Sequence, residues 1–340
     1  MVPRVTIVIV AWNVREHLYA CLRSLRDAGV DSWTQTIVVD NASADDTAEM
    51  VEREFPGVQL VRAGSNLGFS RGNNLALRTM STEYAWVLNP DTIVPAGVIE
   101  ALVAEMDANA GIGASAPRQI DGNGRVQFEA AVHLPTIWNA FCDLCLLSRL
   151  FPRSHVFARR KMGWWDHLDD RDVPGLAGSA LLLRRAALDQ VGLFDDTMFI
   201  VEDMDLCRRI AAAGWRIRYV GSVAITHFGG ASIQRAGEGR QLQIGYQSFW
   251  LYLRKHEGAT HAAILTAMAF VVSGFGLLMA AVLRWVPGLP AGVRRAHDKV
   301  PTVARSLMRW ALADKPRFRH ALAAPPQESM VRNRRPGTVL

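Results

Sequence analysis

The strongest constraint on this chain is the regular alternation of apolar and amphipathic segments over residues 4–118. Four short apolar runs are predicted as strands, at residues 5–10, 36–39, 58–61 and 84–88. The segments between them carry apolar residues at helical spacing and are predicted as helices. Strands that alternate with helices of about 10–15 residues form a mostly parallel sheet covered by helices on both faces. The sequence therefore predicts an α/β fold.

Polar side chains follow three of these four strands. They are Asn13 after the first strand, Asp40 and Asn41 after the second, and Asn89 and Asp91 after the fourth. In sheets of this kind, ligands bind outside the carboxyl ends of the strands. We therefore expect these side chains to lie at one ligand site.

Asp40 has two open interpretations. Its carboxylate can accept hydrogen bonds from the ribose or the base of a nucleotide, or it can form an Asx-turn before the next segment. That segment is predicted as a helix over residues 43–55, opened by a capping box of Ser43 and Asp46. Residues 11–15 read AWNVR, so no G-x-G-x-x-G motif follows the first strand, and the chain contains no P-loop motif. Dinucleotide-binding proteins and P-loop ATPases are therefore disfavoured.

The loop at residues 66–74 is dense in hydrogen-bond donors, with two glycines, three asparagines and one arginine in nine residues. Such a loop suits a phosphate-bearing ligand. The candidate contacts are Asn66, Gly68, Arg71 and Asn74. A plain surface loop is the alternative.

Two positions fit a hard divalent cation. Asp91 offers a carboxylate after the fourth strand, and a nucleotide diphosphate would supply further oxygen ligands. His227 ends the second of two late strands that the sequence predicts, and it is either a second ligand or a hydrogen-bonded core histidine.

Three carboxylates, Glu202, Asp203 and Asp205, open a predicted helix that ends at Gly214. One acidic residue at a helix N-terminus is ordinary capping chemistry. Three in four positions repel one another and raise one another's pKa, and a raised carboxylate pKa is what a general base requires. The cluster therefore predicts either a catalytic base or an acidic helix cap.

Basic residues concentrate in the C-terminal tail. The formal net charge of the chain is +6, but residues 284–340 hold 12 Lys and Arg against 3 Asp and Glu. That tail charge of +9 leaves −3 on residues 1–283. Nucleic acid is therefore not the expected partner of the body, and the tail cations suit anionic lipid headgroups.

Residues 262–283 carry no charge and would extend about 33 Å as a helix, which is enough to cross a bilayer. Basic residues on both flanks leave its orientation open. Gly274 and Gly276 also allow a bent in-plane pair of helices, and a buried core helix is the third alternative. The N-terminal apolar run is too short and too strand-like for a signal peptide.

The middle segment, residues 119–173, is less regular. An apolar helix-like run at residues 136–151 precedes basic residues and tryptophans, a composition that suits either a membrane-facing surface or an insert packed on the main domain. Cys142 and Cys145 lack a second cysteine pair for a zinc site, and all four cysteines of the chain are expected to be reduced thiols.

Taken in order, these segments resemble the family 2 glycosyltransferases of the GT-A fold, and among them the rhamnosyltransferase-like bacterial enzymes. The matching motifs are VVDNAS at 38–43, NLGF at 66–69, GNN at 72–74, LNPDT at 88–92, GSA at 178–180, RR at 184–185, VGLFD at 191–195, EDMDL at 202–206, AGW at 213–215 and His227. The resemblance covers about residues 4–235 and implies a Rossmann-like, mostly parallel sheet flanked by helices, with a C-terminal membrane-associating helical segment.

The resemblance also implies roles for the candidate residues. The nucleotide-sugar contacts would be Trp12, Asn13, Asp40, Asn41, Asn66, Gly68, Arg71, Asn74 and Asn89, with Asp40 holding the nucleobase. Asp91 would bind Mg²⁺ or Mn²⁺ bridging the diphosphate, with His227 as second ligand. Asp203, beside Glu202, would be the base of a single inverting displacement. The metal motif reads Asn-Pro-Asp, which departs from the Asp-x-Asp of many relatives.

The implied organisation has four parts. They are a nucleotide-sugar-binding half at 1–118, an acceptor-binding and catalytic half at 119–260 with an insert at 133–172, a membrane helix or in-plane hairpin at 261–285, and a basic tail at 286–340. The implied partners are a dTDP- or UDP-sugar donor, a polyprenyl-diphosphate-linked or glycan acceptor and membrane lipids, with no nucleic acid. The implied location is the cytoplasmic face of the bacterial inner (plasma) membrane.

Three alternatives to a rhamnosyltransferase stay open. The resemblance favours dTDP-rhamnose, but a galactofuranosyl or other UDP-sugar transferase would have the same fold. A sugar nucleotidyltransferase should carry a Gly-rich basic loop after the first strand, which residues 11–15 do not form. A non-catalytic membrane-anchored glycan-binding protein would have no need of Asp203.

Overall fold

The structure, a computed structural model, describes residues 2–229, 238–283, 285 and 291–312. Eleven strands and eleven α-helices form in these residues. The strands are β1 (Val5–Ala11), β2 (Thr34–Asp40), β3 (Gln59–Arg62), β4 (Tyr84–Leu88), β5 (Thr92–Ile93), β6 (Ile112–Ile120), β7 (Ala131–Val132), β8 (Arg171–Asp172), β9 (Gly175–Leu176), β10 (Ala180–Arg184) and β11 (Arg216–His227). The helices are α1 (Arg15–Asp27), α2 (Thr47–Glu54), α3 (Gly68–Leu77), α4 (Val98–Ala108), α5 (Ile137–Leu144), α6 (Leu147–Leu150), α7 (Arg185–Val191), α8 (Glu202–Ala212), α9 (Glu238–His256), α10 (Ala259–Leu283) and α11 (Ala291–Leu312). Residues 313–340 of the predicted basic tail lie outside the described residues.

One mixed sheet organises the fold. Its strand order is β3-β2-β1-β4-β10-β6-β11-β5, and β8 pairs with β11 beside this path. The neighbours among β1, β2, β3 and β4 are parallel, and so is the pair of β6 and β11. In contrast, β10 runs antiparallel between β4 and β6. The predicted α/β fold is confirmed, with the reversed strand β10 near the middle of its sheet.

The central strand β1 is buried on both faces of this sheet. Ile7 and Ile9 pack with Leu18 of α1 and Leu102 of α4 on one face, while Val8 belongs to a second apolar cluster on the other face. Alternate residues of a strand point to opposite faces. A strand covered on both faces has to be apolar throughout, which is why its sequence is a continuous apolar run.

The predicted helix at residues 43–55 begins later than its sequence indicates. α2 begins at Thr47, after Asp46 in the left-handed conformation with φ 57°. The Ser43 hydroxyl oxygen accepts the Asn13 N–H, and its side chain makes no cap of α2. The predicted capping box is therefore wrong, because Ser43 is used in a contact between two loops of the sheet edge.

Two other predicted elements differ in the structure. The apolar run at 136–151 forms two helices, α5 and α6, because Leu146 between them adopts φ 59°. The predicted late pair of strands is the single strand β11, whose pairing with β6 shifts register between Val220 and Ala224. That irregularity interrupts the apolar pattern, so one strand reads as two.

The C-terminal helices α9, α10 and α11 pack on one another and on α5. One apolar cluster contains Ala140 of α5, Leu253 of α9 and Leu265 of α10. α10 is continuous through Gly274, so the helix pair that the glycines would allow is not formed. By length and composition, Ala259–Val282 is apolar enough to cross a membrane, with a mean hydropathy of 2.1.

A buried carboxylate, Asp205 of α8, ties these helices to the sheet. Asp205 lies 2.8 Å from Arg209 Nε, 2.8 Å from Lys255 Nζ and 2.7 Å from His256 Nε2. Burial alone would raise the pKa of Asp205, but the hydrogen bonds and charges of these neighbours outweigh it and lower the pKa. Lys255 and His256 end α9, so Asp205 joins two helices and does not share the predicted base function of its cluster.

We expect Asp205→Asn to lower the free energy of unfolding by about 1.5–3 kcal/mol, because the fully buried carboxylate loses its charge-assisted hydrogen bonds to side chains of α8 and α9. Urea unfolding at neutral pH measures the loss. Asp189→Asn is the matched control, since Asp189 also pairs with an arginine one helical turn away, at 3.7 Å, but is 69% exposed. The control should lose less than about 1 kcal/mol, and equal losses would contradict the structural role of Asp205.

Candidate active site

The carboxyl ends of β1, β2 and β4 meet at one edge of the sheet. In the register of β1, Ala11 lies opposite Asp40 of β2, and Ile9 lies opposite Leu88 of β4. The reversed strand β10 begins at this edge, because its first residue, Ala180, pairs with Leu88. The polar residues that follow β1, β2 and β4 therefore lie beside the residues that precede β10.

The segments that leave β1 and β2 are tied together by hydrogen bonds. Asn13 adopts φ 54°, and its side-chain oxygen accepts the Ala44 N–H at 2.7 Å. The Ser43 hydroxyl oxygen accepts the Asn13 N–H at 2.9 Å. Asp40, only 4% exposed, accepts the Ser43 N–H at 3.2 Å. Asp40 thus forms a turn, and a single backbone donor leaves its carboxylate acceptor capacity for a ligand.

A cavity of about 460 Å³ opens beside this segment. Its lining is Asn13, Val14, Arg15, Glu16, His17 and Asp45, and the half-buried Trp12 precedes it in the chain. Asp45 accepts the Arg15 N–H at 3.2 Å. Arg15, His17 and Asp45 are not predicted from the sequence, because they belong to no motif and meet only when the loops after β1 and β2 pack together.

The loop after β3 reaches the same edge through Asn41. The side-chain nitrogen of Asn41 donates to the Gly68 carbonyl at 3.2 Å, and the Asn66 side-chain oxygen accepts the Gly68 N–H at 2.9 Å. Gly68 has φ 77°, a backbone conformation that favours glycine. Asn41 Oδ1 is buried and has no hydrogen-bond partner in the described part of the chain, so a ligand donor would satisfy it.

The two other candidates of this loop contact a different segment. Asn74 is buried in α3, where its Nδ2 donates to the Phe194 carbonyl at 2.8 Å and its Oδ1 accepts the Phe194 N–H at 3.1 Å. Arg71 pairs with Asp196 at 3.0 Å. These contacts give both residues a supporting role, in which they hold the segment after α7 against α3.

Asp91 and His227 lie side by side at the ends of β4 and β11. The Asp91 carboxylate, 6% exposed, lies 3.4 Å from His227 Nε2, and Asn89 Nδ2 lies 3.3 Å from the same nitrogen. His227 Nδ1 lies 3.0 Å from Gln127 Oε1. Because an amide oxygen can only accept a hydrogen bond, Nδ1 is the nitrogen that carries the hydrogen. His227 Nε2 and Asp91 then need either a proton or a metal ion between them.

This pair suits a divalent cation. Burial alone would raise the pKa of Asp91, but the hydrogen bond and charge of His227 outweigh it and lower the pKa, so the carboxylate is ionised near neutral pH. A carboxylate oxygen and an imidazole nitrogen both bind Mn²⁺, and the carboxylate also suits Mg²⁺. Across the described residues, no group of three or more His, Cys, Asp or Glu side chains forms a metal cluster. The remaining ligands would therefore come from a bound diphosphate and water.

A second carboxylate centre opens α8. Asp203 Oδ2 accepts the Gly178 N–H at 2.8 Å, and Asp203 Oδ1 accepts the Met204 N–H at 2.8 Å. Burial raises the pKa of Asp203 and of Glu202, and the charge of Asp203 raises the pKa of Glu202 further. The Oε2 atom of Glu202 is buried without a hydrogen-bond partner in the described residues. The two backbone donors therefore favour ionisation of Asp203, and Glu202 keeps its proton.

Gly178 and Ser179 connect the two carboxylate centres. The Gly178 N–H donates to Asp203, while the Ser179 carbonyl accepts the Asn89 N–H at 2.8 Å. A Cβ atom at position 178 would lie 3.0 Å from the Phe69 ring and 3.4 Å from Asp203 Cβ, so glycine allows this close approach. Gly178 and Ser179 lie in a matching motif but were not predicted as site residues. Gln127 was missed because no sequence pattern relates it to His227.

The comparisons with known proteins agree on one family. The family model described as glycosyltransferase like family 2 matches residues 3–242, more than half of the 340 residues. The N-acetylglucosaminyl-diphospho-decaprenol L-rhamnosyltransferase of Mycobacterium tuberculosis is 28% identical over 267 residues, which cover 74% of this chain and 85% of the relative. The pre-mycofactocin glycosyltransferase of the same organism is 26% identical over 230 residues, which cover 66% of this chain and 42% of that protein.

Solved structures show the fold. The mannosyltransferase PcManGT from Pyrobaculum calidifontis, in complex with GDP-Man and Mn²⁺, matches with a TM-score of 0.55 at 17% identity, over 92% of this chain and 86% of its own. TarS of S. aureus in complex with UDP-GlcNAc matches with a TM-score of 0.51 at 16% identity, over 91% of this chain and 81% of its own. The predicted GT-A fold is confirmed.

We expect the stability of Glu202→Gln, relative to that of the parent protein, to increase as the pH rises. The raised folded-state pKa means that the contribution of Glu202 to stability is complete below its unfolded pKa and is lost as the pH rises through the folded pKa. Glutamine stays neutral at every pH. Between pH 5 and pH 9, the free energy of unfolding of the variant minus that of the parent should rise by about 1.4 kcal/mol or more, equivalent to one pKa unit.

The control for this measurement is Glu16→Gln, at a position that is 80% exposed. Urea unfolding of both variants at several pH values should show a pH-dependent difference for Glu202→Gln alone. The same pH dependence for both would contradict a buried, protonated Glu202.

Proposed function

Because the chain belongs to glycosyltransferase family 2, we propose that it is an inverting hexosyltransferase that moves a sugar from a nucleoside-diphosphate donor to a lipid-linked or envelope-glycan acceptor. The rhamnosyltransferase relative, at 28% identity, supports rhamnose as the sugar and dTDP-rhamnose as the donor. The name of that relative specifies an acceptor linked to decaprenol through a diphosphate, which supports a polyprenyl-diphosphate-linked acceptor for this chain.

One observation carries the proposal: two carboxylate centres with opposite pKa shifts lie at one sheet edge and are joined by Gly178 and Ser179. The pKa of Asp91 is lowered, so its charge is available to a cation that neutralises a leaving diphosphate. The pKa of Asp203 is raised, as a general base for a sugar hydroxyl requires near neutral pH. Environments that push the pKa values of two groups apart are typical of acid–base assignments in active sites.

The donor would bind along the edge formed by the ends of β1, β2 and β4. The proposed contacts are Trp12, Asn13 and Asp40 to the nucleoside, and Asn41, Asn66, Gly68 and Asn89 to the rest of the nucleotide sugar. Arg71 and Asn74 would support the site through the segment after α7. Asp91 and His227 would hold Mg²⁺ or Mn²⁺, which when bound supplies positive charge to the departing diphosphate. The Mn²⁺ of the mannosyltransferase structure supports this assignment.

In the transfer step, Asp203 takes the proton from the acceptor hydroxyl while the oxygen of that hydroxyl attacks the anomeric carbon of the donor sugar. The new C–O bond forms on the face opposite the nucleoside diphosphate, whose bond to the sugar breaks, so the configuration inverts. The proton ends on Asp203 and the electron pair of the broken bond leaves with the diphosphate. The N–H groups of Gly178 and Met204 hold the carboxylate in place, and a neutral Glu202 adds no second negative charge beside it.

The proposed location is the cytoplasmic face of the bacterial inner (plasma) membrane. The apolar helix α10 and the basic residues of the tail support contact with membrane lipids. The four cysteines are free, and three of them are buried, as suits a reducing compartment.

Family membership disfavours a sugar nucleotidyltransferase, and the AWNVR sequence after β1 provides no phosphate-binding glycine loop. A non-catalytic glycan-binding protein would not need Asp203, whose carboxylate is half-buried and held by two backbone donors. A galactofuranosyl or other UDP-sugar transferase is the alternative that differs in donor alone. Assaying transfer from several nucleotide sugars distinguishes it from a rhamnosyltransferase.

We expect the full-length protein to transfer rhamnose from dTDP-rhamnose to membranes that contain polyprenyl-diphosphate-linked N-acetylglucosamine, in the presence of Mg²⁺ or Mn²⁺. UDP-galactofuranose, UDP-GlcNAc and GDP-mannose complete the panel, and mass spectrometry of the extracted lipids detects the product. Transfer from a UDP-sugar instead would support the alternative donor. No transfer from any nucleotide sugar to any lipid or glycan acceptor would contradict the proposed reaction.

We expect Asp203→Asn to lower kcat by about 10²–10⁴-fold, the usual contribution of a general base, with donor affinity nearly unchanged. Glu202→Gln mimics the protonated form of Glu202, the neighbour of the base, and should lower kcat by less than about tenfold. Initial rates and donor binding of the two variants, measured side by side, provide the test. Equal losses of kcat for both would refute the assignment of Asp203 as the base.

We expect Asp91→Asn to weaken Mn²⁺ binding in the presence of dTDP by more than about tenfold, because it removes the ionised ligand of the pair. Gln127→Ala should weaken it by about 10-fold, since the partner that orients a metal-binding histidine contributes to affinity. Electron paramagnetic resonance of free Mn²⁺ measures the affinity without any turnover. Asp27→Asn, a 63% exposed position on α1, is the control, and parental affinity of Asp91→Asn would rule out this metal site.

A further inference from the structure

α10 presents an apolar face to the outside along its whole length. Its exposed large side chains are Ile264, Phe270, Val271, Phe275, Leu278, Met279 and Val282. Its buried residues are Ala262, Leu265, Ala269, Ser273 and Ala280. Residues three, four and seven apart share one side of a helix, so the two sets form opposite faces. A surface helix normally turns a polar face outward, and an exposed apolar face of this length marks an interaction site.

The inner face of α10 is held by helices that carry charge. A Cβ atom at Gly276 would lie 3.4 Å from Val300 and 3.8 Å from Ala304 of α11, so the two helices are in close contact. α11 exposes Arg305 and Arg309, one helical turn apart. If α10 crossed a bilayer, α11 would carry these guanidinium groups into the hydrocarbon, where charges are rare and costly. The packing therefore favours α10 lying along a membrane surface.

The insert supplies a second apolar surface next to α10. Its exposed large side chains are Trp138, Phe141, Leu146, Leu150, Phe151 and Val156. Trp138 stacks on Phe141 with ring centroids 5.6 Å apart, and its indole N–H donates to the Val156 carbonyl at 2.9 Å. Ala140, on the same helix, packs in one cluster with Leu265 of α10. The aromatic side chains are thus held outward on a helix that is fixed to α10.

We propose that the outward face of α10 and the exposed apolar residues of the insert form one docking face, by which the protein lies in the plane of an anionic bilayer without spanning it. This inference rests on the proposed membrane location but not on the proposed reaction. It extends that location by assigning the orientation of α10 and a second contact in the insert.

Charge complementarity selects a lipid surface over a second copy of the chain. Exposed arginines lie in the insert and on the helices packed against α10, at Arg149, Arg153, Arg254, Arg305 and Arg309, and Arg254 lines a groove with Phe270 and Val271 of α10. Two copies meeting through this face would bring these like charges together, whereas anionic headgroups would neutralise them. Apolar residues and aromatic rings bordered by arginine are the composition of in-plane membrane helices.

A groove of about 660 Å³ opens beside the outward face of α10, between α9, α10 and the end of α11. Apolar side chains dominate its lining, including Trp250, Ala263, Ala267, Phe270 and Val271, and Arg254 lies over the Trp250 ring at 5.1 Å. An apolar channel with one guanidinium group fits a lipid chain with an anionic head. The groove therefore adds a place for a single lipid to the docking face.

Spin labels at Ile264, Val271 and Leu278 test the orientation of α10, because these positions lie one heptad apart on its outward face. The labels are placed singly in full-length protein in which the half-buried Cys145 is serine. Collision rates with O₂ and with a Ni²⁺ chelate give the depth of each label in vesicles of phosphatidylcholine and phosphatidylglycerol. We expect the same shallow depth at all three. A deep centre with two shallow ends would show a spanning helix, and full Ni²⁺ access at all three would show no docking; either result overturns the proposal.

Flotation with the same vesicles tests the two parts of the docking face. Phe275→Glu on α10 and Phe151→Glu in the insert should each lower the partition constant of the protein onto the vesicles by about tenfold. Val2→Glu, an equally charged change at a position that is 87% exposed outside this face, should not. Binding should weaken in pure phosphatidylcholine and at high salt. Parental binding of either phenylalanine variant would remove that element from the docking face, and neither assay requires donor, acceptor or turnover.

Discussion

Two backbone hydrogen bonds, made by Gly178 and Ser179, hold the candidate active site together. The first fixes Asp203 and the second fixes Asn89, two residues before Asp91. Both exist because β10 runs antiparallel to β4, so that its first residues reach the edge where the parallel strands end. A parallel β10 would place its last residues there and leave the start of α8 without this connection. The reversed strand is therefore the constraint on which the two carboxylate centres depend.

The C-terminal helices are coupled to the same centres through α8. Asp203 lies in the first turn of α8, and two residues later Asp205 binds Lys255 and His256 of α9. Val201, just before α8, packs in one cluster with residues of α9 and α10. The proposed base is thus fixed between the sheet on one side and the helices α9 and α10 on the other.

The carboxylate cluster shows how far sequence patterns can assign chemistry. Glu202, Asp203 and Asp205 are alike in sequence, but their environments differ. Asp205 is bound by Arg209, Lys255 and His256 and has a lowered pKa, whereas the buried Glu202 and the half-buried Asp203 have raised pKa values. A pKa depends on burial and on neighbours from other segments. Sequence spacing contains neither, so it indicates that a cluster is unusual without identifying the member that carries the function.

The amino-acid sequence by itself determined the α/β fold, the first four strands, the polar residues at their ends and the family, because apolar periodicity and ordered motifs are local properties of the chain. Only the tertiary structure decided the reversal of β10, the direct contact of Asp91 with His227, and the use of Ser43 between loops instead of in a capping box. It also showed which face of α10 is covered. These features arise from contacts between residues far apart in the chain, whose energies depend on distance and burial, and neither quantity can be read from a local pattern.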